Sequence, residues 1–207
     1  MTLALGVLVS GSGSNLEAIL EAIARRELDA EVRLVVSNKR GAFALERAAR
    51  RDVPTAFVDH EAFPTREAFD ADVVSRLRGR GVEAVVLAGF MRIVTPVLLE
   101  AFPDRVVNIH PALLPAFPGV HGPRQALEYG VKVAGCTVHM VDAGVDTGPI
   151  VAQAAVPVLA GDTEASLAAR ILREEHRILP RALAWLARGE LVVERGAGRP
   201  RVRVPAS

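Results

Sequence analysis

Cysteine is almost absent. The one residue, Cys136, excludes an intramolecular disulfide framework and fits a reducing cytoplasm, the expected location. No Cys/His cluster has metal-ligand spacing, so no metal is expected. Lysine occurs only as Lys39 and Lys132, and arginine supplies the remaining positive charge. GC-rich coding accounts for that bias as well as heat adaptation does, because hyperthermophiles enrich Lys and Glu. The formal charge is only +1, with acids and bases interspersed, so the basic stripe of a nucleic-acid binder is missing. Long hydrophobic runs are missing too. The apolar start, Leu3 to Val9, is too short to span a membrane and lacks a basic flank, so it reads as a core strand rather than a signal peptide.

What is present is ample core material. Half of the 207 residues are hydrophobic, and mean hydropathy is +0.27. That suits one domain over residues 1–190, followed by a hairpin or tail over residues 191–207. Leu3 to Val9 is nearly continuous in apolar residues, as in a strand buried on both faces. Ser10-Gly11-Ser12-Gly13-Ser14-Asn15 follows, and then Leu16, Ile19, Leu20 and Ile23 recur at helical spacing. Ser14 and Glu17 have the spacing of a capping box, which predicts the helix start. A strand, a Gly-rich turn and a helix N-terminus make an anion site, since unpaired N–H groups and the helix dipole face the turn. The competing reading is a plain tight turn. A dinucleotide fingerprint fits poorly, because Leu16 stands at the third glycine position and Ser37-Asn38 ends the second strand where an acid is wanted. A single phosphate is the better match.

The βα rhythm continues. Helices are expected over residues 42–51 and 65–80, with strands over 32–36, 55–58 and 82–88. Gly89 to Val94 leaves the carboxyl end of that last strand, the edge where open α/β sheets hold ligands. Thr95 reads as the cap of a short helix with Pro96 at its first position. Alternating strands and helices predict an α/β fold, a doubly wound and mostly parallel sheet with helices on both faces.

The densest chemistry lies at Val106 to Pro115. Asn108 and His110 are two apart at a strand end, so both project to one face. Pro111, Pro115 and Pro118 stiffen the exit. A satisfied histidine at a buried strand end competes with a catalytic pair, in which His moves protons and Asn donates to an oxyanion. Beyond it, a short helix is expected over residues 125–129 and strands over 134–141 and 150–156. Pro157 keeps the second strand from continuing as a central one. A helix is expected over 163–188, with Pro180 as a kink. Leu167, Ile171, Glu175 and Leu179 share a stripe of that helix. Glu175 is then either paired to a buried arginine or lining a polar cavity.

Taken together, Ser10 to Asn15, Leu87-Ala88-Gly89-Phe90-Met91-Arg92-Ile93, Asn108 to Pro115, and Gly135-Cys136-Thr137-Val138-His139 continuing to Asp146-Thr147-Gly148-Pro149 resemble the phosphoribosylglycinamide formyltransferases, folate-dependent enzymes of purine synthesis. The resemblance runs from about Leu5 to Glu194. It implies a Rossmann-like formyltransferase fold, phosphate binding in the N-terminal half, and folate binding and catalysis in the C-terminal half. The substrates implied are 5′-phosphoribosylglycinamide and, as formyl donor, 10-formyltetrahydrofolate. Asn108, His110 and Asp146 match the catalytic group, and Gly13, Ser14 and Asn15 match the phosphate loop. Glu175 matches a ribose contact. Arg66, Met91, Arg92, Ile93, Val94, Asn108, Val141, Asp142 and Val145 match the folate site. A cis Leu114–Pro115 bond is also implied. Ala112 departs from the family, which usually has serine there. Asp146 alone reads as a turn residue, as Asp142 does; only the resemblance separates them.

Rival readings differ in predictable ways. A 10-formyltetrahydrofolate hydrolase would use water at the same site, generally behind a regulatory domain, whereas strand one here is expected at Leu3. A tRNA formyltransferase would add a basic C-terminal domain, and this chain ends soon after the hairpin. A nicotinamide oxidoreductase is disfavoured by Leu16 and Asn38, and a non-catalytic nucleotide module by Asn108, His110 and Asp146 together. No nucleic-acid or membrane partner is expected, and both monomer and homodimer stay open.

Overall fold

The structure is a computed structural model that describes residues 2–205. Met1 and the last two residues of the expected tail lie outside the described residues. The chain divides into two compact units, Met1–Asn108 and Ile109–Ser207.

In the first unit β1 (Leu3–Val9) is buried along its whole length, as an apolar run with no alternation requires. It pairs in parallel with β2 (Ala30–Ser37) and with β4 (Ala84–Leu87). β2 pairs with β3 (Thr55–Phe57), and β4 with β5 (Val106–His110), again in parallel. The connections are α1 (Ser14–Ala24), α2 (Phe43–Ala49), α3 (Arg66–Gly79) and α4 (Pro96–Ala101). Thr65 caps α3 by accepting from the Ala68 N–H at 3.1 Å.

Two expected caps are corrected. Residue 13, not Ser14, caps α1: Gly13 adopts φ +73° there. The Ser14–Glu17 capping box is replaced by ion pairs from Glu17 to Arg47 at 3.3 Å and to Arg51. Thr95 does sit at the N-cap of α4, yet among the described residues its hydroxyl makes no capping bond. Its backbone N–H donates instead to Asp70, at 2.6 Å.

The second unit holds α5 (Gly122–Tyr129), β6 (Val133–Met140), β7 (Ile150–Pro157) and α6 (Glu164–Ala187). β6 and β7 are antiparallel. The seven-stranded, mostly parallel sheet has the order β3-β2-β1-β4-β5-β6-β7, so β7 is an edge strand, and its alternating burial fits that place. Pro157 ends it, where a missing N–H costs no ladder bond. α6 runs unbroken through Pro180 and opens with a capping box between Thr163 and Ser166. Leu167, Ile171, Glu175 and Leu179 are all buried on it. A hairpin of β8 (Val192–Glu194) and β9 (Arg201–Arg203) follows. Among the described residues, no helix is long and apolar enough to cross a membrane.

Gly13 is constrained twice. Its backbone is left-handed, and a Cβ there would lie 2.5 Å from the Cβ of Ala44. Gly11, with no atom within 4 Å of such a Cβ, is the control. Gly13→Ala should lower unfolding stability by more than about 1 kcal/mol, the usual cost of a left-handed non-glycine residue alone. Gly11→Ala should stay within about 0.5 kcal/mol. Urea melts of the two variants check this; equal losses would mean that Gly13 is not tightly packed.

Candidate active site

In the first unit the chain leaves β1 at Ser10, whose N–H donates to the Gly89 carbonyl at 3.1 Å. Gly13 then turns the chain into α1. A helix start carries N–H groups with no intrahelical acceptor, so Gly13, Ser14 and Asn15 present a positive dipole end. Arg47 braces the turn by donating from Nε to the Ser12 carbonyl at 2.9 Å. Asn15 is buried and Ser14 partly so.

Met91 to Val94 follow β4 as an irregular segment. Met91 and Ile93 are 67% and 51% exposed, whereas Val94 is buried. The Arg92 guanidinium stacks 5.1 Å from the Phe69 ring centroid. Arg66, the first residue of α3, is exposed. Asn108 lies on β5, in register with Leu87 and partly exposed.

In the second unit the arrangement is tighter. His110, 4% exposed, ends β5. Its Nδ1 lies 3.3 Å from Asp146 Oδ2, and its Nε2 lies 2.9 Å from the Phe117 carbonyl. Both ring nitrogens therefore face acceptors. The other oxygen of Asp146 faces a second imidazole: Oδ1 is 3.5 Å from His139 Nε2, while His139 Nδ1 lies 2.8 Å from the Met140 carbonyl. Asp146 Oδ2 also accepts from the Gly119 N–H at 2.7 Å. Burial alone would raise the Asp146 carboxyl. The His139 bond, the Gly119 N–H and the charge of both imidazoles outweigh it and hold the group below its ordinary value.

The loop that carries Asp146 is closed on itself. The Met140 N–H donates to the Pro149 carbonyl at 2.9 Å. Asp142 Oδ1 accepts from the Gly144 N–H at 3.0 Å and from the Thr147 hydroxyl at 2.6 Å. Asp142 is thus a turn-forming aspartate. Val145 is 46% exposed and Val141 partly buried. Arg199, beyond β8, donates to the Thr147 carbonyl at 2.9 Å. Leu114–Pro115 is cis, as the resemblance implied. Thr137 Oγ1 donates to the Ala112 carbonyl at 2.7 Å and accepts from the Leu114 N–H at 3.0 Å. Gln153 Nε2 donates to the Leu114 carbonyl at 2.9 Å. The alanine at 112 is buried and contributes its carbonyl to this network. Glu175 is buried on α6, and its charge helps push the buried Cys136 thiol, already raised by desolvation, up to about 12.

His139, Thr137, Gln153 and Arg199 were not singled out as site residues by sequence reasoning. His139 and Thr137 were visible only as polar residues on an otherwise apolar strand, and being two apart they share a face of β6.

A carboxyl whose folded-state pKa lies below its unfolded value stabilises the fold above the unfolded value, about 3.9 for Asp. That contribution disappears as pH falls through the folded-state value. Asp146→Asn should therefore cost most stability near neutral pH, and the gap to the parent protein should shrink below about pH 4. Urea unfolding at a series of pH values measures it. A gap independent of pH would show that the carboxylate charge is not what the imidazoles hold.

Residues 4–183 match the formyl transferase family. The phosphoribosylglycinamide formyltransferase of Escherichia coli (strain K12) is 44% identical over 191 residues, which are 92% of this chain and 90% of that protein. The crystal structure of glycinamide ribonucleotide transformylase 1 from Symbiobacterium toebii superposes with a TM-score of 0.95 at 55% identity, covering 98% of this chain and 94% of that one. The trifunctional purine biosynthetic protein adenosine-3 of Drosophila pseudoobscura pseudoobscura is 50% identical over 187 residues, and this chain spans 14% of its length. The match to the family's defining sequence and the identity along nearly the whole E. coli protein agree: the chain belongs to the formyl transferase family, among the phosphoribosylglycinamide formyltransferases, which are one-carbon transferases.

Proposed function

We propose that the protein transfers a formyl group from 10-formyltetrahydrofolate to the amino group of 5′-phosphoribosylglycinamide in purine biosynthesis, as a single formyltransferase domain over residues 1–190 acting in the cytoplasm. The observation that carries this reading is the buried His110, with Asp146 at 3.3 Å, on the same short strand as Asn108. The formyl acceptor comes from the names of the relatives, and the folate donor from the resemblance to the family.

The amine attacks the formyl carbon and a C–N bond forms. The carbonyl oxygen takes up negative charge in a tetrahedral intermediate. The Asn108 carboxamide and the His110 imidazolium are the donors to that oxygen, and one such fixed donor is worth roughly 10²–10³ in rate. His110 exchanges its Phe117 carbonyl for the substrate, while Asp146 holds the opposite ring nitrogen. The intermediate collapses as the bond to folate N10 breaks. The amine proton leaves, and N10 gains one, with His110 as the relay. No step calls for a metal.

Gly13, Ser14 and Asn15 hold the phosphate, and Glu175 the ribose. Arg66, Met91, Arg92, Ile93, Val94, Asn108, Val141, Asp142 and Val145 serve the folate. The exposed apolar side chains of Met91, Ile93 and Val145 suit a flat, partly apolar ring.

The deciding assay follows folate turnover with and without the ribonucleotide. Tetrahydrofolate should form only when the ribonucleotide is present. Equal turnover in its absence would make the protein a hydrolase instead. Asp146→Asn should lower kcat by roughly 10²–10⁴-fold, the span of a positioned acid–base group. Asp142→Asn keeps an oxygen for Gly144 and Thr147 and should cost less than about tenfold, well below that span. A larger loss at Asp142 would place the catalytic carboxylate there.

A further inference from the structure

The segment after β4 has an unusual combination of features. Met91 and Ile93 expose most or half of their apolar surface, yet the backbone beneath them is tied down at both ends by side chains from elsewhere in the first unit. At the front, the Met91 N–H donates to the Ser10 hydroxyl at 2.8 Å. That hydroxyl donates in turn to Asn38 Oδ1 at 2.6 Å. Asn38, 3% exposed, stands just beyond β2, and its own carbonyl faces His60 Nδ1 at 3.3 Å. At the back, the Thr95 N–H donates to Asp70 Oδ2 at 2.6 Å, and Asp70 is 3% exposed. Arg92, between the two anchors, lies over Phe69, the neighbour of Asp70 on α3.

A segment with few buried side chains of its own would ordinarily be mobile. Three polar side chains, the buried Asn38 and Asp70 and the partly buried Ser10, hold this one in a single shape instead, through two backbone N–H groups. Such pre-organisation lowers the ordering cost of binding a ligand. We propose that Ser10, Asn38 and Asp70 are positioning residues, a two-ended clamp that presets Gly89–Thr95 to receive the flat, partly apolar heteroaromatic ring of the folate. This rests on the formyl-transfer reading for the identity of the ring; the clamp itself stands on the hydrogen bonds. It also explains why Asn38 stands where a nicotinamide enzyme carries an acid: the position serves Ser10 rather than a ribose.

The test combines calorimetric binding of tetrahydrofolate and of the ribonucleotide with amide hydrogen exchange on the unliganded protein. Ser10→Ala should weaken tetrahydrofolate binding about tenfold, the usual consequence of one lost hydrogen bond. Ribonucleotide binding should change less than about twofold, a shift too small for a lost hydrogen bond. Exchange should speed up at Met91 and stay unchanged at Thr95. Asp70→Ala should do the reverse at the two amides, with a similar loss of folate affinity. Ser10→Thr, which keeps the hydroxyl, should restore Met91 protection. Asn38→Ala combined with Ser10→Ala should cost no more than Ser10→Ala alone, because Asn38 acts through that hydroxyl. Parent protein that binds tetrahydrofolate while Ser10→Ala and Asp70→Ala bind it equally well overturns the clamp. So do equal losses for both ligands, which would mark a general loss of fold. Parent protein that binds no tetrahydrofolate refutes the formyl-transfer reading itself, and with it the assignment of the ring.

Discussion

The Asp146 carboxylate is the group on which the second unit depends. It is mostly buried, and a buried carboxylate without partners would neutralise or unfold its surroundings. Here both oxygens are occupied: one by His139, the other by His110 and the Gly119 N–H. Each imidazole is in turn fixed at its far nitrogen by a backbone carbonyl, of Phe117 and of Met140. A chain of alternating acceptors and ring nitrogens thus sets the orientation of both rings. The backbone bends to serve it. Asp146, Phe117 and His121 all adopt left-handed φ, at 54°, 56° and 61°. Non-glycine residues do so at a cost, and such strain persists only where surrounding contacts over-determine it. The Asp142–Thr147 clasp, the Met140–Pro149 bond and Arg199 on the Thr147 carbonyl supply that excess of constraint.

Much of the fold was legible because it rests on local rules. β1 was readable as a run with no alternation, α1 and α6 as periodic helices, and β7 as a strand that Pro157 confines to an edge. Asn108 and His110 were legible as a pair because strand geometry alone puts residues two apart on one face. Asp146 was not: it sits in a loop next to another loop aspartate, and only its distance to His110 or a family likeness tells the two apart. His139, Thr137 and Gln153 were hidden for the same reason. Their partners are 7 to 39 residues away in sequence, and no local pattern reports such contacts.

The failed capping box has a physical cause. Glu17 has the right spacing from Ser14, but a capping box competes with whatever else can take the carboxylate. Two arginines from α2 and just beyond it, Arg47 and Arg51, offer charged hydrogen bonds to it. These are stronger than a neutral backbone donor. With Gly13 turning left-handed at the cap, the N-cap of α1 supplies no side-chain capping bond among the described residues. An anion site needs that cap left open, so the departure from the local rule falls where a phosphate is proposed to bind, which is where local rules are expected to give way.

Two aspartates, Asp70 buried and Asp146 partly so, show how partners weigh against burial in setting charge. Desolvation pushes both carboxyls up. Burial raises Asp70 more than the backbone N–H and side chain of Thr95 and the charge of Arg92 lower it, and the nearby Glu67 adds to the rise. Asp146 meets two imidazoles and an N–H, so the partners win and it is lowered. On acidification Asp70 therefore takes a proton before Asp146 does. A protonated carboxyl keeps one oxygen able to accept from Thr95 but gives up its charge, which weakens that bond, since charge-assisted bonds are about twice as strong as neutral ones. The bond that anchors the segment bearing Met91 and Ile93 is thus weakened at a pH where Asp146 is still ionised. The two carboxylates thus divide their work: one stands beside the proposed chemistry, and the other holds backbone in place.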